Sequence, residues 1–359
     1  MHVKKTFFSL LIALSLLSAC DPFNTTLTEK DVIYYTSSNA QVVPVPDTLM
    51  IMTWNIKFGG ARIDFFYDCF GDRVIMTEEE VLNNMAGIAE KIKQVNPDII
   101  YLQEVDINSK RSAMVDQVQY LLDQTDLNYG VYASQWRSDW VPKKGLGQIN
   151  SGNLILSRWK LTDAKRIALP LFEEQNSIVR YFYLRRNVLE AKVHLDDQNL
   201  HLINTHLSAY SHDGTKKKQL DIVNKRIREK ADNGIQFLLG GDFNCLPPGS
   251  KKVMDFPDSE CVEDFVANDY STETEWMVPL YDFESAIHLD EYQKNNEKHF
   301  SHTVDSPERG AYWNKKLDYL FTNQDFVDGS GQTHQDEKTG MNTMKLSDHC
   351  PVTVRLLIK

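Results

Sequence analysis

Cysteine is scarce, with five in 359 residues, at positions 20, 69, 245, 261 and 350. None is grouped with histidine at the spacing of a tetrahedral zinc site, which argues against zinc. Membrane-spanning length is lacking too: the apolar run Phe7 to Leu17 falls well short of the ~20 residues needed to cross a bilayer. Positive charge is in deficit, with a formal net charge of −11, so the chain gains no general attraction for phosphate polymers. Nucleic acid stays open as a partner only through local basic patches. There is no internal repeat and no low-complexity linker, which excludes a solenoid and leaves one large α/β domain as the simplest organisation.

What is present begins with a leader. Lys4 and Lys5 precede the apolar run, and Leu17-Ser18-Ala19-Cys20 follows it. This pattern reads as a secretory signal peptide over residues 1–19, and its ending resembles a bacterial lipobox in which Cys20 is the lipidated first residue. The expected location is the bacterial cell envelope, with the lipid as the membrane anchor. Removing the leader takes away two lysines and moves the formal charge from −11 to −13. Residues 20–47 are polar, with Pro44 and Pro46 near their end, and read as a tether; 48–359 is the expected domain. Cys245 and Cys350 read as buried free thiols. Cys69 and Cys261 lie in segments that look like insertions, where a disulfide is an alternative in an exported protein.

The stretch Gly234 to Asn244, GIQFLLGGDFN, turns from apolar to small and polar, as a buried strand does at its end. Side chains alternate, so Asp242 and Asn244 share one face and Phe243 takes the other. The design recurs. LMIMTWNI ends near Asn55, DIIYLQEV at Glu104, and LHLINTHL near His206; KLDYLF carries Asp318, and Ser347-Asp348-His349 precedes the last apolar strand. In open α/β sheets, ligands bind at the carboxyl ends of strands.

Between these strands, Thr77 and Glu80 predict a capping box for a helix burying Val81, Met85, Ile88 and Ile92, stopped by Pro97. A second helix carries Val115, Val118, Leu121 and Leu122. A third, Lys216–Asp232, buries Leu220, Val223, Ile227 and Ala231, with Lys216 to Lys218 as a solvated start. Val188–Leu195 and Leu200–Leu207 read as a hairpin in which Asn204 and His206 share a face and His201 points away. Trp136–Gln148 reads as a surface loop that contacts substrate if it faces the site. The aromatics of Lys57–Met76 read either as an apolar lip or as local loop packing. Pro247–Glu297 has no assignable pattern.

Taken in order over Met50 to Ile358, these motifs resemble the endonuclease/exonuclease/phosphatase superfamily, which includes DNase I-like nucleases, neutral sphingomyelinases and inositol-polyphosphate phosphatases. The resemblance implies a four-layered α/β sandwich, two mixed sheets packed face to face and covered by helices. It implies a hydrolase of phosphoesters, diesters foremost, with Mg²⁺ (or Mn²⁺ or Ca²⁺) held by Glu104 with Asn55 and Asp348. Asp242 would orient or deprotonate water, Asn244 would bind the phosphoryl group, and Asp318 would pair with His349. His206 would bind phosphate or act as a second acid/base. Gly152-Asn153 resembles a family strand, Asn153 being a turn residue or a substrate contact. Arg111, in the loop after Glu104, is either a solvated side chain or a phosphate ligand. A monomer is expected. The substrate stays open among DNA, lipid headgroup, inositol phosphate and sugar phosphate, and a non-catalytic binding lipoprotein is the alternative to an enzyme.

Overall fold

The structure, a computed structural model, describes residues 21–68, 71–196, 198–209, 213–256, 269–304, 312–336 and 342–358. The expected signal peptide, Cys20, Cys69 and Cys261 lie outside the described residues. The first half contains β1 (Ile33–Thr36), β2 (Thr48–Asn55), α1 (Glu78–Val95), β3 (Ile99–Asp106), α2 (Gln117–Gln124), β4 (Tyr129–Val141) and β5 (Gly147–Ser157). The second contains β6 (Leu161–Ala168), α3 (Ser177–Phe182), β7 (Asn187–Leu195), β8 (Gln198–His206), α4 (Thr215–Asp232), β9 (Phe237–Asp242), β10 (Glu284–Ser285), α5 (Leu289–Lys294), β11 (Asp318–Thr322), β12 (Gln332–Thr333), α6 (Asn342–Leu346) and β13 (Val352–Leu357).

These strands form a seven-stranded sheet, β1-β4-β5-β3-β2-β13-β12, and a six-stranded sheet, β10-β11-β9-β8-β7-β6. Both are mixed: β2 runs parallel to β3 and β8 to β9, among antiparallel neighbours. Alternation along the strands divides the apolar residues between layers. Ile51, Ile99, Ile155, Leu189, Leu202 and Leu238 meet between the sheets. Met52, Ile100 and Leu102 face α1 and α2 on one outer side; Ile203, Phe237 and Leu239 face α4 on the other. The result is the expected four-layered sandwich. α1 opens with the predicted capping box, Thr77 Oγ1 accepting from the Glu80 amide and the Glu80 carboxylate accepting from the Thr77 amide.

Three expectations are corrected. The stretch read as a tether lies against the domain: β1 pairs antiparallel with β4, and Val43 and Val45 pack on the inter-sheet core. Its backbone closes an otherwise open sheet edge, which a composition-based reading does not detect. Trp136–Gln148 is mostly strand, because β4 and β5 continue their pairing to Val141↔Gly147 and leave only a tight turn. Lys216 is buried, as shown below.

The sheets are joined by polar seams as well as apolar packing. Asn204 accepts from Gln103 Nε2 at 2.9 Å and donates to the carbonyls of Leu102 (2.9 Å) and Leu154 (2.8 Å). Tyr101 donates to the Leu238 carbonyl at 2.9 Å. Asn204→Leu would strand these buried partners, and a loss of about 2–4 kcal/mol of stability is expected. Urea unfolding checks it; wild-type stability would show that the seam is energetically idle.

Candidate active site

Strand register assembles the site. His206 pairs with Asp242 across β8 and β9, and Asp318 pairs with Asp242 across β11 and β9. Three of the expected site residues therefore sit in one row at the strand ends of the six-stranded sheet. The seven-stranded sheet contributes Asn55 from the end of β2 and Glu104 from β3. Glu104 sits at a register shift opposite β5, with φ of 57°. That left-handed conformation is strained for a glutamate, and it breaks the alternation that would otherwise set its direction. Ser347 donates to the Asn55 carbonyl at 2.8 Å, placing Asp348 and His349 beside it.

Asn55 joins the two halves. Its amide donates to Glu104 Oε1 (3.2 Å) and to Asp242 Oδ2 (3.1 Å). Asp242 Oδ2 also lies 3.4 Å from His206 Nε2 and 3.5 Å from His349 Nε2. Asp318 Oδ2 holds His349 Nδ1 at 2.8 Å and accepts from Ser301 Oγ at 2.6 Å. Burial would push the His349 imidazole toward its neutral form, but the carboxylates of Asp318 and Asp242 outweigh it and raise its pKa to about 10. Burial, only partly opposed by His349, raises the Asp242 pKa. His206 is driven well below the ordinary histidine range by burial, then by the charges of Arg186 and His349. Its Nδ1 has no hydrogen-bond partner among the described residues.

The oxygen donors fit a hard cation. Glu104 and Asp348 both line the cavity over the site. Burial and then repulsion from Asp348 raise the Glu104 pKa, so negative charge is concentrated there. Asp348 stays below the usual range: burial is offset by Lys57, His349 and Arg62. Asp242, Asp318 and His349 also bring three ligand atoms within 4.8 Å of one another. The Asp318–His349 hydrogen bond already occupies two of those groups, so Glu104 and Asp348 are the freer pair.

Other expected residues take different roles. Asn244, with φ of 50°, donates from Nδ2 to the Leu207 carbonyl at 3.0 Å and lines the cavity. Arg111 is buried and gripped by Asp106, with two contacts of 2.8 Å, by Ser151 (3.1 Å) and by Tyr67 (3.2 Å), over the Phe58 ring. Its guanidinium is held in an ion pair and is not solvated, and the residue lines the cavity. Asn153 is buried in β5, its amide donating to Asn187 at 3.3 Å, and is absent from the cavity wall. His201 points outward beside Lys230, at 3.3 Å, as its strand parity predicts. Cys245 and Cys350 are buried free thiols. Of the Lys57–Met76 aromatics, Phe65 packs in the core, Phe58 packs there and also reaches the cavity wall, and Phe66 and Tyr67 line the cavity.

Three further residues contribute: Arg186 left almost no mark in the sequence, His302 stands in the His299–Thr303 motif before the Asp318 strand, and Lys216 was expected in solvent. Arg186, just before β7, lines the cavity within reach of the charges of Glu104 and Asp242, and donates to Gln135 Oε1 at 3.1 Å. An Arg-Arg pair at a strand start is the only signal it leaves. His302 packs against His349 with the rings tilted by 60° and their centroids 4.4 Å apart. Lys216 is buried, bonding the Asn244 carbonyl at 2.8 Å and Glu273 at 2.6 Å. Lysine triplets normally read as solvent-facing, so burial of one is not legible.

The profile of the Endonuclease/Exonuclease/phosphatase family matches residues 52–349, so the chain belongs to that family. No curated protein sequence matches it. Among solved structures it resembles an endonuclease/exonuclease/phosphatase from Beutenbergia cavernae DSM 12333, with TM-score 0.52, 18% identity, and coverage of 87% of this chain and 72% of that one. It resembles the human Nocturnin catalytic domain with bound sulfate, with TM-score 0.52, 16% identity, and coverage of 91% and 98%. A third is TDP2 from C. elegans, with TM-score 0.50, 17% identity, and coverage of 87% and 75%. At these identities the likeness establishes the fold. Members of the family are metal-dependent phosphoesterases.

Asp318→Asn keeps the side-chain volume but removes the charge facing His349. The His349 pKa is expected to fall from about 10 toward its ordinary value of about 6.5. Imidazole NMR titration reads this directly. An unmoved titration would show that Asp318 does not set the charge of the ring.

Proposed function

We propose that the protein hydrolyses phosphodiesters with a divalent cation, Mg²⁺ foremost. The observation that carries this is the row His206–Asp242–Asp318 with His349, facing Glu104 and Asp348 across one cavity. Mg²⁺ held by Glu104 and Asp348, beside Asn55, would supply charge neutralisation for the phosphoryl oxygens. The protein's own groups do the rest. Asp242, made more basic by burial, accepts a proton from water as the water oxygen bonds to phosphorus. His349, kept charged by Asp318, and His206, kept neutral by burial, flank the phosphoryl group. One ester P–O bond breaks, the departing alkoxide takes a proton from the charged His349 and leaves as the alcohol, and the proton held by Asp242, 3.5 Å from the ring, restores the imidazolium. Arg186 offers a guanidinium to the phosphoryl oxygens.

The expected test is cleavage of a small phosphodiester that requires Mg²⁺ and stops with EDTA. Asp242→Asn should lower kcat by about 10²–10⁴, the usual worth of a positioned base, with an unchanged melting temperature. Wild-type turnover in this variant would remove Asp242 from the chemistry, and no turnover by the wild type on any phosphoester would favour a binding protein.

The same reading places a monomeric protein in the bacterial cell envelope, secreted by residues 1–19 and anchored by a lipid on Cys20. The lipobox-like Leu17-Ser18-Ala19-Cys20 supports it. No helix among the described residues is long and apolar enough to cross a membrane. Cys20→Ser should shift the protein from the membrane to the soluble fraction; retention in membranes would refute lipid anchoring there.

A further inference from the structure

The cavity of about 550 Å³ has two unlike halves. The polar floor carries the groups above. The other half is apolar, walled by Trp136, Val141, Leu146, Phe172, Ile178 and Phe182. It lies between the β4–β5 hairpin and α3. On α3, Ile178 is 72% exposed and Val179 45% exposed, at the mouth of the cavity. Large aliphatic side chains held in water beside a site gain from covering by an apolar ligand or surface.

Charge limits what the polar half can take. Lys57 is paired with Asp68 at 3.0 Å, and Arg111 with Asp106 at 2.8 Å. Arg186 alone among the described arginines of the cavity wall has no carboxylate hydrogen-bond partner. The floor is equipped for a single phosphate, and the chain as a whole carries −11. Lys143, exposed on the β4–β5 turn, adds one more cation to the wall, and an extended polyanion needs more than these two.

A separate observation concerns the start of the described chain. The Asp21 carboxylate accepts a hydrogen bond from Tyr181 of α3. The Phe23 ring packs on Trp140 (5.7 Å), Tyr181 (6.4 Å) and Phe182 (5.4 Å). Residue 21 is thus fixed to the helix whose Ile178, Val179 and Phe182 line the cavity. A lipid on Cys20 would hold that rim against the bilayer.

We propose that the substrate is a membrane phosphodiester whose acyl chains lie in this apolar half, with its phosphate at Arg186, His206 and Asp242. This deepens the hydrolase reading and rests on it. A neutral, zwitterionic headgroup suits the acidic chain better than an anionic one.

The full-length protein is assayed with Mg²⁺ on four probes: phosphatidylcholine in Triton X-100 mixed micelles, glycerophosphocholine as its tail-less counterpart, a single-stranded oligonucleotide, and methyl p-nitrophenyl phosphate. The tailed lipid should exceed its tail-less counterpart in kcat/KM by about tenfold or more, the worth of burying even two methylene groups. Ile178→Asp and Val179→Asp should each reduce that ratio by about tenfold. Both side chains are exposed, and melting curves establish that the variants fold; Ile178→Ser and Val179→Ser are milder substitutes. A ratio near one, a ratio unmoved by the variants, or preference for the oligonucleotide overturns the inference while cleavage of the small diester leaves the hydrolase reading standing. Cleavage of none of the four overturns both.

Discussion

The arrangement depends on one amide. Asn55 ends a strand of one sheet and donates to Glu104 in its own sheet and to Asp242 in the other. Two buried carboxylates approaching without a donor between them would repel and take up protons. The Asn55 side chain supplies both with a hydrogen, so the strand ends can converge while the acids keep different neighbours. Behind it, the Asn204 and Tyr101 seams fix the separation of the sheets, and register carries that precision forward to the row of His206, Asp242 and Asp318.

The buried charges of the site sort into complementary sets. Asp318 and Asp242 charge the His349 ring, whereas Arg186 and burial keep His206 neutral. Two imidazoles on opposite sides of one carboxylate are thereby held in opposite protonation states, and a catalyst that must both give and take protons needs that asymmetry. The cations Lys57 and Arg111 are spent on Asp68 and Asp106, which shape the walls. Arg186 remains as the guanidinium turned to the reaction space.

Much of this was legible in the sequence, for physical reasons. A buried strand that ends abruptly in Asp, Asn, Glu or His writes its parity and its polar tip in adjacent residues, so Asn55, Glu104, His206, Asp242, Asp318 and Asp348-His349 stood out, and the sandwich followed. Parity also excluded His201 correctly. What was hidden depends on pairing between distant segments. Ile33–Thr36 is a strand because an edge of β4 is available to it; nothing local marks it. Arg111 looks solvated until Asp106 is folded beneath it, and Arg186 looks ordinary until β7 brings it beside Glu104. The β4–β5 hairpin was missed because basic and aromatic residues at its tip resemble a loop.

The buried Lys216 has a consequence for how the molecule can change over time. Its ammonium ties the Asn244 carbonyl to Glu273, in the long irregular segment after β9. Losing either charge alone would leave the other stranded away from water, which is far costlier than losing both. The two positions are therefore free to drift only as a pair, and the segment holding Glu273 cannot be exchanged for another without a matching change at the head of α4. A region that looks like a removable insertion is bound by inheritance to Asn244, two residues from the buried Asp242.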